Sequence, residues 1–456
     1  MKKLLTVVIP TLLSLALLIG ATSLAAAGPT SLGRATYRQF LPIVQRAYRP
    51  PEPCLPAFDE DRLLLTIDTP ASIERLRTAD LNGDGWTDAI VARIIFQTLN
   101  LFEISILLND QQGGLVDATH EIFQGPVPKV QHPAKILLRD FNGDGRTDIF
   151  IADSGMDTDP FPGGQNILVL SVPGGKLLDA TARLPQQLDG THSAAAADID
   201  GDGDVDLYVG NIWGQNTPPA IWLNSDGAGT FIVATGRLPY PLEDLNSGAF
   251  TSCEFVDVNN DASPDLVLGD AGGDLEGGPD SLVLLNDGTG KFTKLATALP
   301  PTIFHPNQTI LDIKAADINH DGYLDLFLVG TRNTYVGRYI QILINKGDGT
   351  FVDETYSRIT QTYDDGWLRY LQLLDLNYDG HVDFVAWPLD PGPMFYLNNG
   401  RGVFSEWQHG LDLYNFDFLD INRDGWRDIL NSGNAFNGWP EWHAIMRHIG
   451  CQDSAP

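Results

Sequence analysis

Side-chain oxygens recur at every other position of a nine-residue pattern that this 456-residue chain writes seven times. The copies read DLNGDGWTD, DFNGDGRTD, DIDGDGDVD, DVNNDASPD, DINHDGYLD, DLNYDGHVD and DINRDGWRD. Position one is Asp80, Asp140, Asp198, Asp257, Asp317, Asp375 and Asp420. Position three is Asn82, Asn142, Asp200, Asn259, Asn319, Asn377 and Asn422. Position five is Asp84, Asp144, Asp202, Asp261, Asp321, Asp379 and Asp424, and position nine is Asp88, Asp148, Asp206, Asp265, Asp325, Asp383 and Asp428. Position seven varies through Trp86, Arg146, Asp204, Ser263, Tyr323, His381 and Trp426, so its backbone carbonyl is the expected donor. Five or six protein oxygens plus water suit Ca²⁺, which accepts flexible, high coordination; Mg²⁺ demands stricter octahedral geometry. Thiolate is absent from the loops and imidazole holds no recurring ligand position, which excludes Zn²⁺ or Cu²⁺ as the resident ion. The expectation is up to seven Ca²⁺ ions, one per copy.

Two details refine this. Position two is always apolar (Leu81, Phe141, Ile199, Val258, Ile318, Leu376 and Ile421), so it anchors the loop to a core. Position six is glycine except in copy four, where Ala262 stands there and Pro264 follows at position eight. A non-glycine residue held at positive φ costs on the order of 1–2 kcal/mol, so copy four should be the weakest site. The EF-hand also begins with this pattern but needs a glutamate at position twelve and flanking helices. Position twelve here is Val91, Ile151, Val209, Leu268, Leu328, Ala386 or Asn431. The loops therefore read as structural staples rather than calcium sensors.

The first aspartates lie 60, 58, 59, 60, 58 and 45 residues apart, the mark of an array of one supersecondary unit. Each period holds four strand signals: a short apolar run before the loop, a near-continuous one after it, and a hairpin with a glycine-rich turn. Leu266-Val267-Leu268 and Leu326-Phe327-Leu328 are examples of the second, and Val283 to Asn286 with Lys291-Phe292 of the hairpin. The predicted fold is all-β, a seven-bladed β-propeller of four-stranded antiparallel blades. The last period runs out before its fourth strand, while Leu63 to Ile67 lies unassigned upstream; this segment should complete blade seven and remove open sheet edges.

On these motifs, over about residues 58 to 451, the chain resembles the FG-GAP/VCBS repeat family, the propeller type of integrin α-subunit heads and many bacterial secreted proteins. The resemblance implies metal loops on one face and ligand binding on the other, by strand two-to-three loops and inter-blade connectors. Long loops at Ala152 to Gln165 and Gly269 to Asp280 lie there, with Trp213, Tyr240, Phe304, Tyr335, Trp367 and Trp387 nearby. Any one of these aromatics can equally pack between blades.

Lys2 and Lys3, the apolar run Leu4 to Ile19 and Ala25-Ala26-Ala27 form a secretory signal over residues 1–27, with an uncleaved anchor the alternative. Residues 28–56 are a basic, proline-bearing spacer, 57–451 the propeller and 452–456 a tail. Blade limits fall at about 70–126, 127–186, 187–241, 242–301, 302–360, 361–409, and 410–451 with 57–69. A net charge of −30 disfavours nucleic acid and anionic membranes as direct partners. Cys54 and Cys451 flank the proposed closure and suit a disulfide in an oxidising compartment, two free thiols being the alternative. Cys253 occupies a buried-hydrophobe position.

No serine-hydrolase, zinc-protease, phosphate-loop or dinucleotide motif occurs. His132, His192 and His305 lie upstream of first strands and are the available catalytic candidates. The expected function is a secreted module that binds a glycan or extracellular protein, in recognition or adhesion. The alternative is a polysaccharide-active, lyase-like enzyme on a calcium-bearing propeller.

Overall fold

The computed structural model describes residues 55–451 apart from 60–61, 96–97, 157–158, 213–216, 245–249, 273–279, 297–298, 333–334, 362–364, 367, 389–391 and 435–439. The signal segment, most of the spacer, Cys54, Trp213, Trp367 and the tail lie outside the described residues.

Seven four-stranded antiparallel sheets follow one another along the chain. Blade one is typical: Ser72–Ala79, Asp88–Ile94, Ser105–Asn109 and Leu115–Asp117 pair in chain order. Second strands such as Asp88–Ile94 and Asp265–Asp270 are buried along their whole length, as their unbroken apolar runs require. The first strands of successive blades gather side by side around the axis. Blade seven is built from Asn415–Leu419, Asp428–Gly433 and Glu441–Met446, and its fourth strand is Arg62–Ile67. The upstream segment thus closes the ring, with Thr66 paired to Trp442. A further strand pair was not expected: Pro56–Phe58 lies against His448–Cys451, with Pro56 opposite Cys451.

The core is divided among the junctions rather than gathered at one centre. Seven apolar clusters among the described residues each join two adjacent blades. The seventh joins Ile73, Leu76 and Ala89 of blade one to Leu419, Ile421 and Leu430 of blade seven. A blade is too thin to bury its own faces, so each is stable only between neighbours.

Polar groups occupy the hub. A β-bulge interrupts most first strands near their start, at Ile73/Arg75, Thr191/Ser193, Phe250/Ser252, Ile310/Asp312 and Leu368/Tyr370. A bulge re-aims the extra side chain; here Glu74 and Arg369 sit at two such positions and form an ion pair across the hub, joined by Arg75. Burial pushes the Glu74 carboxyl up, but Arg369 and Arg75 outweigh it and hold it below the usual value. Lys314 similarly bridges Asp312 at 2.8 Å and Glu254 at 3.7 Å.

Candidate metal centres

Each acidic loop joins the first strand of a blade to its second, so the repeat pattern puts all seven on one face. Position two fixes the loop from below: its residue is buried in all seven copies. Above it the odd positions fold inward through a set of short local hydrogen bonds. In copy one, Asp80 Oδ1 accepts the Gly83 N–H at 2.7 Å and Oδ2 the Gly85 N–H at 2.8 Å. Asn82 Oδ1 accepts from Asp84 N–H, and Asp84 Oδ1 from Trp86 N–H, both at 2.8 Å. The bond from position six to the first aspartate recurs in the other six copies at 2.7–3.1 Å.

Closing these turns requires two left-handed residues per loop. Position six is one: Gly85 has φ +84° and Gly322 φ +90°, and Ala262 is held at φ +71°. Position four is the other, and composition concealed it. It is glycine in copies one to three, but Asn260, His320, Tyr378 and Arg423 adopt φ near +60° in the rest.

Position nine does a structural job in every copy. Its Oδ2 accepts the position-two N–H at 2.8–3.3 Å. Its Oδ1 accepts an N–H from the end of strand three, or in blade seven from His448 just beyond it, at 2.6–2.9 Å. The donor is Asn109, Ser171, Asn224, Asn286, Asn345, Asn398 or His448. Each of the five asparagines then sends its side-chain N–H₂ to the position-two carbonyl of the preceding blade, as Asn345 does to Val258 at 2.9 Å. One residue thus ties its own loop to its neighbour's.

Among the described residues, these seven carboxylates are buried with no cationic side chain bonded to them. Burial first, and the other loop aspartates second, push Asp88, Asp206, Asp265, Asp325, Asp383 and Asp428 up to about 7, and Asp148 up to about 6, against the backbone hydrogen bonds. Copy three concentrates the charge further because its position three is an aspartate. Oxygens of Asp198, Asp200 and Asp206 lie within 4.8 Å of one another, and Asp200 Oδ1 is buried with no hydrogen-bond partner. An all-oxygen donor set with excess negative charge and an unused buried lone pair fits a hard divalent cation.

At three junctions the position-seven side chain meets a position-four side chain of the adjacent blade. Arg423, at position four of copy seven, lies over the Trp86 ring of copy one at 5.1 Å. Tyr378 of copy six meets Trp426 of copy seven edge-on at 4.8 Å, and His320 Nε2 of copy five lies 2.7 Å from His381 Nδ1 of copy six. A side-chain belt thus links positions four and seven across three successive junctions.

The catalytic candidates have separate local partners. The His132 N–H donates to buried Asp153, His192 Nδ1 lies 3.3 Å from the Thr251 carbonyl, and His305 Nδ1 lies 3.7 Å from Asp280. A different set forms a relay that sequence reading missed. Ser432 Oγ lies 2.8 Å from His443 Nδ1, His443 Nε2 lies 2.8 Å from Glu441, and Arg93 of blade one grips Glu441 at 2.6 and 2.7 Å. Ser432, His443 and Glu441 are wholly buried, so no substrate reaches the hydroxyl and the relay serves the seam between first and last blades. Phe304 and Trp387 are packed, Trp387 against Phe416 at 4.4 Å, whereas Tyr240 is exposed. Cys253 is buried, its thiol pushed up to about 11 by burial.

The fold and loops define a seven-bladed β-propeller with one oxygen-lined turn per blade. Its repeats are FG-GAP-like: residues 140–209 and 257–328 match the FG-GAP-like repeat, each stretch running from one acidic loop to the second strand of the next blade. No curated protein matches the chain. Solved structures similar to it include two described as BBS1N in complex with ARL6DN, soaked with lead and with mercury. Both are 10% identical with a TM-score of 0.47; they cover 88% and 87% of this chain, and 99% and 98% of their own chains are covered.

Proposed function

We propose that the chain is an exported, Ca²⁺-stabilised binding module that presents its strand two-to-three loops and inter-blade connectors to a glycan or an extracellular protein. The observation that carries the reading is the division of labour between the two ends of the blades. At one end, seven near-identical turns bury carboxylates that lack protein cations, a scaffold that a hard cation would complete. At the other, the loops differ from blade to blade in length and chemistry, as a recognition surface requires. In each loop, positions one, three, five and nine would hold Ca²⁺ with side-chain oxygens and position seven with its carbonyl.

Export rests on the charged and apolar N-terminal segment and its small-residue cleavage site. In an oxidising compartment Cys54 would bridge to Cys451, whose strand already lies against Pro56–Phe58. The test is a panel of glycans and extracellular proteins, probed with Ca²⁺ and with chelator. Saturable, calcium-dependent binding to a member is expected; no binding in any condition overturns the module.

A further inference from the structure

Each first strand ends at its acidic turn, so the bulges near its start lie at the opposite, loop-and-connector end of the axis. Glu74 of blade one and Arg369 of blade six stand at two of them. Blade seven lies between these two in the ring and starts its first strand late. Asn415–Leu419 has five residues in unbroken register, against eight in blade one and seven in blade six. Arg369 reaches over that short strand to pair with Glu74. Arg75 bonds to the same carboxylate at 2.7 Å, and the Tyr370 ring centroid lies 5.8 Å from Arg75 and 5.2 Å from Arg77. Three guanidinium groups therefore crowd one end of the hub.

These groups are accessible, and much of their donor capacity is unspent. Glu74 is 5% exposed, whereas the Arg75 and Arg369 side chains keep 17% and 18%. First strands surround them, so that exposure is to the axial channel. Among the described residues, Arg369 gives one hydrogen bond, from Nη2 to Glu74, and Arg77 gives one, from Nη1 to the Leu76 carbonyl. Arg75 commits Nε to Ala134 and Nη1 to Glu74, and keeps Nη2. Each uncommitted nitrogen retains accessible surface. The charge is unbalanced as well. Asp417 lies near Arg77, but its oxygens accept from Thr78, Phe418 and Gln372 instead. Three cations thus meet two carboxylates, in a chain whose net charge is −30.

We propose that this mouth of the axial channel is an oxyanion site, in which Arg77, Arg369 and Nη2 of Arg75 hold a carboxylate or sulfate group. The guanidinium fork suits such groups because it donates two parallel N–H bonds to two oxygens. A shared anion also relieves the repulsion among three cations held close together. Tyr370, packed beside Arg75 and Arg77, keeps both at the axis. The proposal rests on the binding-module reading and narrows its ligand to an anionic one. The oxyanion comes either free, as an inorganic ion, or carried by an acidic sugar.

The experiment titrates the Ca²⁺-loaded full chain with sulfate, galacturonate and uncharged galactose by calorimetry, for wild type, Arg77→Gln and Arg369→Gln. The expected result is saturable binding of at least one of the two anions, with a Kd of about 1 mM or tighter. Each variant should weaken it about tenfold or more. Arg77→Gln leaves Glu74 both of its arginines, so this variant keeps the wild-type melting temperature and decides the matter should Arg369→Gln fail to fold. Galacturonate binding more tightly than sulfate assigns the site to an acidic sugar, and sulfate binding alone assigns it to a free inorganic ion; either result upholds the site. Absence of saturation by both anions, undiminished binding in Arg77→Gln, or equal binding of galactose each overturns it. A glycan or protein from the panel that binds wild type and both variants equally well overturns the anionic narrowing alone and leaves the module reading standing.

Discussion

Replacing Asn345 by alanine removes one blade-joining hydrogen bond and two local ones. Asn345 is buried, and its backbone N–H to Asp325 at 2.9 Å survives the substitution. Its side chain makes three bonds that do not: to the Val258 carbonyl of the preceding blade at 2.9 Å, to the Leu324 carbonyl at 3.0 Å, and from the Gly347 N–H at 2.8 Å. Val258 keeps one partner, the Gly349 N–H at 3.1 Å. Three net hydrogen bonds at about 1 kcal/mol each give a loss of about 3 kcal/mol. Blade two supplies the control. Ser171 occupies the equivalent position, and its hydroxyl bonds to Asp148 of its own blade at 2.8 Å. Ser171→Ala should cost about 1 kcal/mol. Urea unfolding in excess Ca²⁺, with fluorescence and circular dichroism compared to verify a single transition, measures both. Equal losses in the two variants, or less than about 1 kcal/mol for Asn345→Ala, would refute the assignment of three net hydrogen bonds to the asparagine side chain.

Ala262→Gly relieves the left-handed alanine of copy four and should stabilise the protein by about 1 kcal/mol, measured by the same unfolding curves. Glu441→Ala leaves the Arg93 guanidinium buried without its partner across the first and last blades, so a loss of about 3–5 kcal/mol is expected in denaturant melts. Burial raises the carboxyls of Glu74 and Glu441, but Arg369 and Arg75 around the first, and His443 and Arg93 around the second, hold both below 4.5. A depressed folded value stabilises fully above the unfolded value, and that contribution is lost as pH falls through the folded one. Melting temperatures should therefore fall below about pH 4.5, and less steeply in a Glu74→Gln variant.

The sequence exposed whatever repeats locally. The aspartate spacing marked the blades, the apolar position two marked the buried anchor, and the truncated last period located the strand that closes the ring. Ala262 was legible because only glycine avoids strain at position six. The left-handed position four was not, since His320, Tyr378 and Arg423 carry no local signal for positive φ. Strand-three asparagines did recur, at Asn224, Asn286 and Asn345, but each side chain reaches a carbonyl of another blade, which no local pattern shows. The hub ion pairs depend on bulges, and the Arg93–Glu441 contact depends on ring closure. Both join residues far apart in the chain, beyond any periodic pattern.

The central claim is that the seven turns are cation sites. Equilibrium dialysis of chelator-stripped protein against ⁴⁵Ca²⁺, with Mg²⁺ as competitor, counts them directly. The account predicts close to seven Ca²⁺ per chain at saturation, with the copy-four site filling last and Mg²⁺ competing poorly. No saturable Ca²⁺ binding, or a single site per chain, would contradict it.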